Sequence, residues 1–310
     1  MCWKEGRKGR VRQLYECDDE VVLVTGDDIS IHNKIIKSNI PSRGEILNAF
    51  SVFWFEKIKK DKVVPSAYKS DTGGELFEIN PNRCILMKKL RMIPIEAVVR
   101  GYMTGELWRG YSDRRDRLYR ICDNTLPSGL SWSGKLSEAI FTPTNKASNI
   151  YRSRSLDFSQ MTGYIKSEGF SSEKAEEIGR KIREYALTLY KYAYREALKC
   201  GLIIADTKFE FGIDGNGEVL LGDECLTPDS TRYWPLANYQ VGRAQVGFDK
   251  QEVREYVAVH PEAEELPSSL AEKLEQRYID CLLMLKGVPW RLSGDLGLSG
   301  VKIHDLPKAI

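Results

Sequence analysis

Charge written into an apolar β-hairpin restricts this chain more than any other feature. Residues 201–235 read GLIIADTKFEFGIDGNGEVLLGDECLTPDSTRYWP. The runs Leu202-Ile203-Ile204 and Val219-Leu220-Leu221 flank the turn Asp214-Gly215-Asn216-Gly217, and their continuous apolar character predicts strands covered on both sides. Asp206, Lys208, Glu210, Asp223, Glu224 and Arg232 nevertheless lie in or beside them. A buried, unpaired carboxylate costs several kcal/mol, so these charges must converge on one another or on a ligand. Period-two alternation sets Asp206, Lys208 and Glu210 on one face and Thr207, Phe209 and Phe211 on the other. On the returning strand Leu221 and Asp223 share a face, and Glu224 opposes them. Acids and a lysine on one face suit a divalent cation holding a polyphosphate. The plainer reading is a surface hairpin whose charges pair among themselves, and the flanking aliphatic runs argue against it.

The rest of the composition narrows the class. A chain of 310 residues can bury a sizeable core as one large domain or two lobes. A net charge of +2 speaks against a dedicated nucleic-acid binder. Seven scattered cysteines without CxxC pairs read as reduced thiols, and three distant histidines make a zinc site improbable. No apolar run approaches the roughly 18 residues that span a bilayer, and no secretory leader opens the chain. A cytoplasmic enzyme is expected, with no membrane partner.

Along the chain, Gly6-Arg7-Lys8-Gly9-Arg10 reads as a flexible basic lead-in to a hairpin of Val11–Tyr15 and Val21–Val24, turning at Asp18-Asp19. A helix is predicted from about Glu45 to Lys60, strands over Leu76–Ile79 and Cys84–Lys89, and an apolar connector over Leu90–Ile95. Residues Ser112–Ser137 read as a loop with a basic face, and a polar stretch runs to about Ser171. A long helix follows from Ser172 to Cys200, capped by Ser171 or Ser172 and ended by Gly201. Two more helices are expected over Lys250–Val259 and Ser268–Leu285. No P-loop, dinucleotide fingerprint, serine-hydrolase or metalloprotease motif is present, and the protein-kinase HRD and DFG motifs are missing.

ADTKFEFG at Ala205–Gly212 and GDECLTPDSTRYW at Gly222–Trp234 resemble the signature pair of the SAICAR synthetase family. GRVRQLYE at Gly9–Glu16, PIEAVVRGYMTGELW at Pro94–Trp108 and IFTPTNKA at Ile140–Ala147 support the resemblance in the family's order, over about residues 6 to 287. The resemblance implies an α+β, two-lobed fold of ATP-grasp or kinase-like character. An antiparallel N-terminal sheet lobe with a phosphate loop would occupy residues 1–92, and a larger α/β lobe residues 93–310. It further implies an ATP-dependent amide ligase that joins L-aspartate to the carboxylate of carboxyaminoimidazole ribotide through an acyl-phosphate. Its cofactors would be ATP and Mg²⁺ and its partners those small molecules, with a homo-oligomer left open. The residues carried over are Lys208, Asp206 and Arg232 for catalysis, and Glu210 and Asp223 for the metal. Gly9, Arg10, Val11, Arg12, Lys88, Met92 and Ile93 would bind ATP, and Arg100, Thr104, Gly105, Glu106, Ser230 and Arg232 the acceptor.

The chain departs from the family's pattern at four places, which leave the ATP and Mg²⁺ half intact and alter the acceptor half. Gly9-Arg10-Val11-Arg12 has arginine where the family's phosphate loop has lysine. Asp28 and Asn33 replace an arginine and an acid, and a basic run, Asn149–Asp157, replaces an acidic one. Glu106 stands where the family has a serine near the ribotide phosphate, and a carboxylate facing phosphate at 4 Å is repulsive by about 4 kcal/mol at an effective dielectric near 20. A paralogue that joins a different carboxylate and amine is therefore the alternative expectation. A nucleotide-binding regulator without turnover is a third, opposed by the complete Lys208, Glu210 and Asp223 set.

Overall fold

Two antiparallel sheets, meeting at Leu90, organise the computed structural model, which describes residues 3–9, 11–31, 34–37, 40, 42–72, 75–80, 82–113, 117–146 and 154–287. The first uses β1 (Lys4–Lys8), β2 (Arg12–Cys17), β3 (Glu20–Thr25), β6 (Tyr68–Ser70) and β7 (Cys84–Lys88), in the order β1-β2-β3-β7-β6. A two-stranded ribbon, β4 (Ile29–Ile31) with β5 (Lys34–Ile36), lies beside it. The basic lead-in is thus not a free loop. It is an edge strand paired with β2, closed by a tight turn in which Gly9 N–H donates to the Arg12 carbonyl at 2.7 Å.

The second sheet is centred on two long strands, β8 (Arg91–Tyr102) and β13 (Leu202–Ile213), with β11 (Lys135–Phe141) outside β8 and β14 (Val219–Gly222) outside β13. The short β12 (Thr144–Asn145) also pairs with β8, and β15 (Thr231–Pro235) with the first half of β13. β13 consequently has neighbours along its whole length and is buried almost throughout, as its apolar run predicts. The expected connector at Leu90–Ile95 is instead the start of β8. Pro94 is tolerated there because it falls in a register shift between the Gly212–Met92 and Glu210–Glu96 pairs, where a missing N–H costs no ladder bond.

Helices cover these sheets. α1 (Arg43–Lys60) buries Phe50, Trp54 and Phe55, each worth about 1.5–3 kcal/mol in transfer terms. Trp54 Nε1–H donates to the Tyr233 hydroxyl at 3.0 Å, and that hydroxyl donates to the Leu226 carbonyl at 2.7 Å, tying α1 to the hairpin region. α5 (Ser172–Lys199) has the predicted bounds, with Ser171 Oγ accepting from Lys174 N–H and Gly201 at φ +73°. α6 (Gln251–Val259) and α7 (Ser268–Leu285) also stand where expected, α7 against α1. One apolar cluster runs from Leu23 through the second sheet to Leu285, so the core is continuous across the two sheets.

Three expectations fail locally. Leu76–Ile79 belongs to a short helix, α2 (Glu75–Ile79), whose Leu76 and Phe77 pack beside Val22 and Val24. The supposed loop at 112–137 holds the end of a helix, α3 (Gly105–Ser112), the hairpin of β9 (Tyr119–Ile121) with β10 (Asn124–Leu126), and the start of β11. The polar stretch before Ser171 contains α4 (Phe158–Ser167), which a reciprocal Asp157–Gln160 capping box initiates. Among the described residues no helix is long and apolar enough to cross a membrane. The basic residues Arg114 and Arg115, positions 147–153 and the tail beyond Gly287 lie outside the described residues.

Candidate active site

Register on β13 decides which side chains meet. Asp206, Lys208 and Glu210 point to one side, while Thr207, Phe209 and Phe211 are buried on the other. Directly across lie Arg100 opposite Asp206, Val98 opposite Lys208 and Glu96 opposite Glu210 on β8, and Arg232 opposite Asp206 on β15. Facing residues of an antiparallel pair share a side of the sheet, so this alignment creates two charged clusters with Lys208 between them.

The first cluster is cationic. Arg100 Nη1 lies 3.2 Å from Asp206 Oδ2, and Arg232 donates to the same oxygen. Arg232 Nε is 3.4 Å from Asp249, which Arg254 approaches at 4.0 Å, and Arg100 Nε–H donates to Thr142 Oγ1 at 2.9 Å. Arg232 does not pair with Asp229, its near neighbour in sequence. Asp229 is taken by Arg43 at 2.6 Å, Lys250 at 3.2 Å and Tyr278 at 3.1 Å. Beside the two arginines α3 begins, with Thr104 in extended geometry and Gly105 at φ +58°. The left-handed backbone favours glycine here, and a Cβ at Gly105 would stand 2.8 Å from Arg232 Nη2 and push the guanidinium aside. Glu106 corrects its expectation: its side chain is 72% exposed and turns toward Arg109 at 3.9 Å. It influences Arg100 and Arg232 through its field rather than by contact.

The second cluster is mixed. Lys208 Nζ stands 3.0 Å from Glu96 and 3.6 Å from Glu210, Lys146 Nζ lies 2.6 Å from Glu210, and Thr144 Oγ1–H donates to Glu96 at 3.0 Å. Burial alone would depress the Lys208 ammonium, but Glu210 and Glu96 outweigh it and hold its pKa far above the usual range. Burial would likewise raise Glu96, and Lys208 outweighs that and holds it down.

Asp223 reaches this side by a route that alternation misses. Glu210 pairs with Gly222 and Phe211 with Leu221, so a continued strand would send Asp223 toward the core beside Leu221. The strand ends at Gly222, and Asp223 takes φ +54°, a left-handed conformation that an aspartate tolerates better than most residues. Asp223 and Glu224 then face together toward Arg12, at 3.5 and 2.8 Å. Lys88 reaches the hairpin turn, 2.6 Å from Asp214.

Met92 is half-exposed over Gly212 and Gly222, where added Cβ atoms would meet its sulfur at 3.0 and 3.3 Å. Ile93 corrects its expectation, because the next position on the strand points into the core, where it cannot face a ligand. Val11 offers its carbonyl to Gly26 N–H, and the Ser230 carbonyl accepts from Lys208 N–H at 3.0 Å. Arg10 lies outside the described residues. Glu96, Lys146 and Asp249 were not expected from sequence, and Glu224 was expected on the opposite face from Asp223, whereas both meet Arg12. Glu96 had a signal, its period-two spacing from Arg100, hidden by reading Leu90–Ile95 as a connector.

Paired cations and carboxylates thus share one face of the central sheet, beside two arginines that meet at Asp206. The family model for SAICAR synthetase matches residues 5–267. A phosphoribosylaminoimidazole-succinocarboxamide synthase of Lachnospira eligens is 39% identical over 285 residues, covering 90% of this chain and 94% of that protein. One from Thioalkalivibrio sulfidiphilus is 37% identical, with 90% and 94% covered. The SAICAR synthase of Saccharomyces cerevisiae, solved with SAICAR, superposes with a TM-score of 0.76 at 30% identity, covering 93% and 96%. This chain belongs to the SAICAR synthetase family. It is a ligase that forms a C–N bond at the expense of ATP in purine biosynthesis.

Proposed function

We propose that the two clusters divide the reaction, with Lys208 at their junction. The ribotide phosphate would lie against Arg100 and Arg232, beside Ser230, the Thr104 side chain and the Gly105 N–H at the start of α3, a setting of guanidinium forks and a helix N-terminus that suits a dianion. Arg12 and Lys88 would receive the nucleotide's phosphates, and Met92 its base. Residues two apart on a strand are roughly 6.5 Å apart, so Lys208 would reach a group moving between the two clusters.

Glu210 and Asp223 fit a Mg²⁺ ion by chemistry: both are hard oxygen donors, and they lie with Glu96 and Glu224 in a carboxylate-rich group to which Arg12, Lys146 and Lys208 are paired. When bound, such an ion neutralises charge on the transferred phosphoryl group.

The acceptor carboxylate would attack the γ-phosphorus, releasing ADP and forming an acyl-phosphate. The amine of aspartate would then add to the acyl carbon, lose a proton, and expel inorganic phosphate. Lys208, paired with Glu96 and Glu210, would stabilise charge at both stages. Asp206 would act as a positioning residue, since two arginines share one of its oxygens.

Supporting this reading above all is the placement of Lys208 between a double-arginine pocket and a carboxylate pair. Glu106 turns toward Arg109 and solvent, which removes one reason for expecting a different acceptor; the other, the basic run at 149–157, lies largely outside the described residues. The test is ADP release by purified protein given ATP, Mg²⁺, aspartate and carboxyaminoimidazole ribotide. Turnover that needs all four supports the assignment, and ADP release without the ribotide would sink it.

A further inference from the structure

Lys146 brings to this site a cation that the chemistry above leaves unused. Its backbone N–H is fixed to the Pro94 carbonyl at 2.9 Å, next to the pair formed by Thr144 and Glu96. From there its ammonium closes on Glu210 Oε2 at 2.6 Å, while Lys208 stands 3.6 Å from Oε1. Ammonium groups thus cover both oxygens of a carboxylate whose own side chain is only 6% exposed. The two lysines are not equivalent. Lys208 projects from the middle of β13 and is held by Glu96 as well, whereas Lys146 follows a two-residue strand at the sheet's margin and keeps 48% of its side chain in solvent.

Lys208 supplies one counter-charge to the buried Glu210, at 3.6 Å from Oε1 and shared with Glu96, and Lys146 supplies the closer one at Oε2 when no nucleotide is present. A divalent ion, however, needs the same oxygen at about 2.1 Å and is repelled by an ammonium sitting there. We infer that Lys146 is a stand-in cation: it holds Glu210 Oε2 in the nucleotide-free enzyme, is displaced when a divalent ion binds, and then carries its charge to the transferred phosphoryl group. This rests on Glu210 being a metal ligand, as proposed above. Metal binding then competes with an internal ion pair, and the pair's release arms the site only when metal arrives.

Mn²⁺ alone is the probe, titrated into the full-length, nucleotide-free protein with free Mn²⁺ followed by electron paramagnetic resonance. Lys146→Gln and Lys146→Met should each bind Mn²⁺ about tenfold more tightly than the wild type, an effect kept modest by the exposure of this lysine. Lys146→Arg, which keeps the charge, should bind no more tightly than the wild type. At saturating metal-nucleotide, Lys146→Gln should also lose kcat. A lysine that merely props the fold would not tighten metal binding while slowing turnover. Equal or weaker Mn²⁺ binding by the two neutral variants, or no binding by any of the proteins, overturns the inference. Mn²⁺ binding that survives Glu210→Gln in both the wild-type and Lys146→Gln backgrounds overturns the metal assignment beneath it as well.

Discussion

Asp206 accepts from two arginines on neighbouring strands, and Lys208, two residues on, is locked between two glutamates. A lysine whose pKa is raised on folding contributes stability that is present below its unfolded value and lost only as pH rises through the folded one. Lys208 therefore stays charged throughout the neutral range. The pH–rate profile between about pH 6 and 9 should show no inflection removed by Lys208→Arg, while Lys208→Met should lower kcat by about 10² or more. Steady-state rates across pH decide this. Asp223→Asn should likewise lose at least about 10² in kcat with an unchanged thermal melt, since its φ suits asparagine equally well. Retained activity would remove Asp223 from the metal. Glu106→Ser should change the ribotide KM by less than about fivefold, because the carboxylate is solvated and screened. A larger gain would show that Glu106 does face the phosphate.

At the scale of elements, the start of α3 is the most exacting piece of geometry in the site. Gly105→Ala places a Cβ against Arg232 in a left-handed backbone and should raise the ribotide KM by about tenfold while costing roughly 1–2 kcal/mol of stability. Initial rates and urea unfolding measure the two effects separately. Elements with strong local signals were legible in the sequence. α5 had its serine cap, apolar stripe and terminal glycine, and β13 its doubly covered apolar run. Weakly signalled elements were not. α2 is one short turn of helix whose residues also fit a strand, and α4 owes its start to a capping box in a polar stretch. Pro94 was read as a break because its bulge exists only once β8 and β13 are paired.

Over the whole molecule, Asp229 joins parts of the chain that are far apart in sequence: Arg43 on α1, Lys250 before α6 and Tyr278 on α7. Burial would raise the Asp229 carboxyl, and Arg43 and Lys250 outweigh it and hold it well below the carboxylate range. A depressed pKa contributes stability present above the unfolded value near 3.9 and lost as pH falls below it toward the folded one. Asp229→Asn should therefore cost about 3–5 kcal/mol at neutral pH, with the deficit shrinking below about pH 4. Urea unfolding over a pH series tests this, and a pH-independent deficit would refute it. Taken alone, the sequence determined which strand carries the charge and which of its faces does so, because period two and burial cost are local rules. It also determined the family, because the motifs stand in order along the chain. Only the tertiary structure decided the partners: that Arg232 meets Asp206 and not Asp229, that Asp223 turns outward, and that Lys146 and Glu96 complete the cluster. Those choices depend on strand register and on contacts between distant segments, which no local pattern encodes.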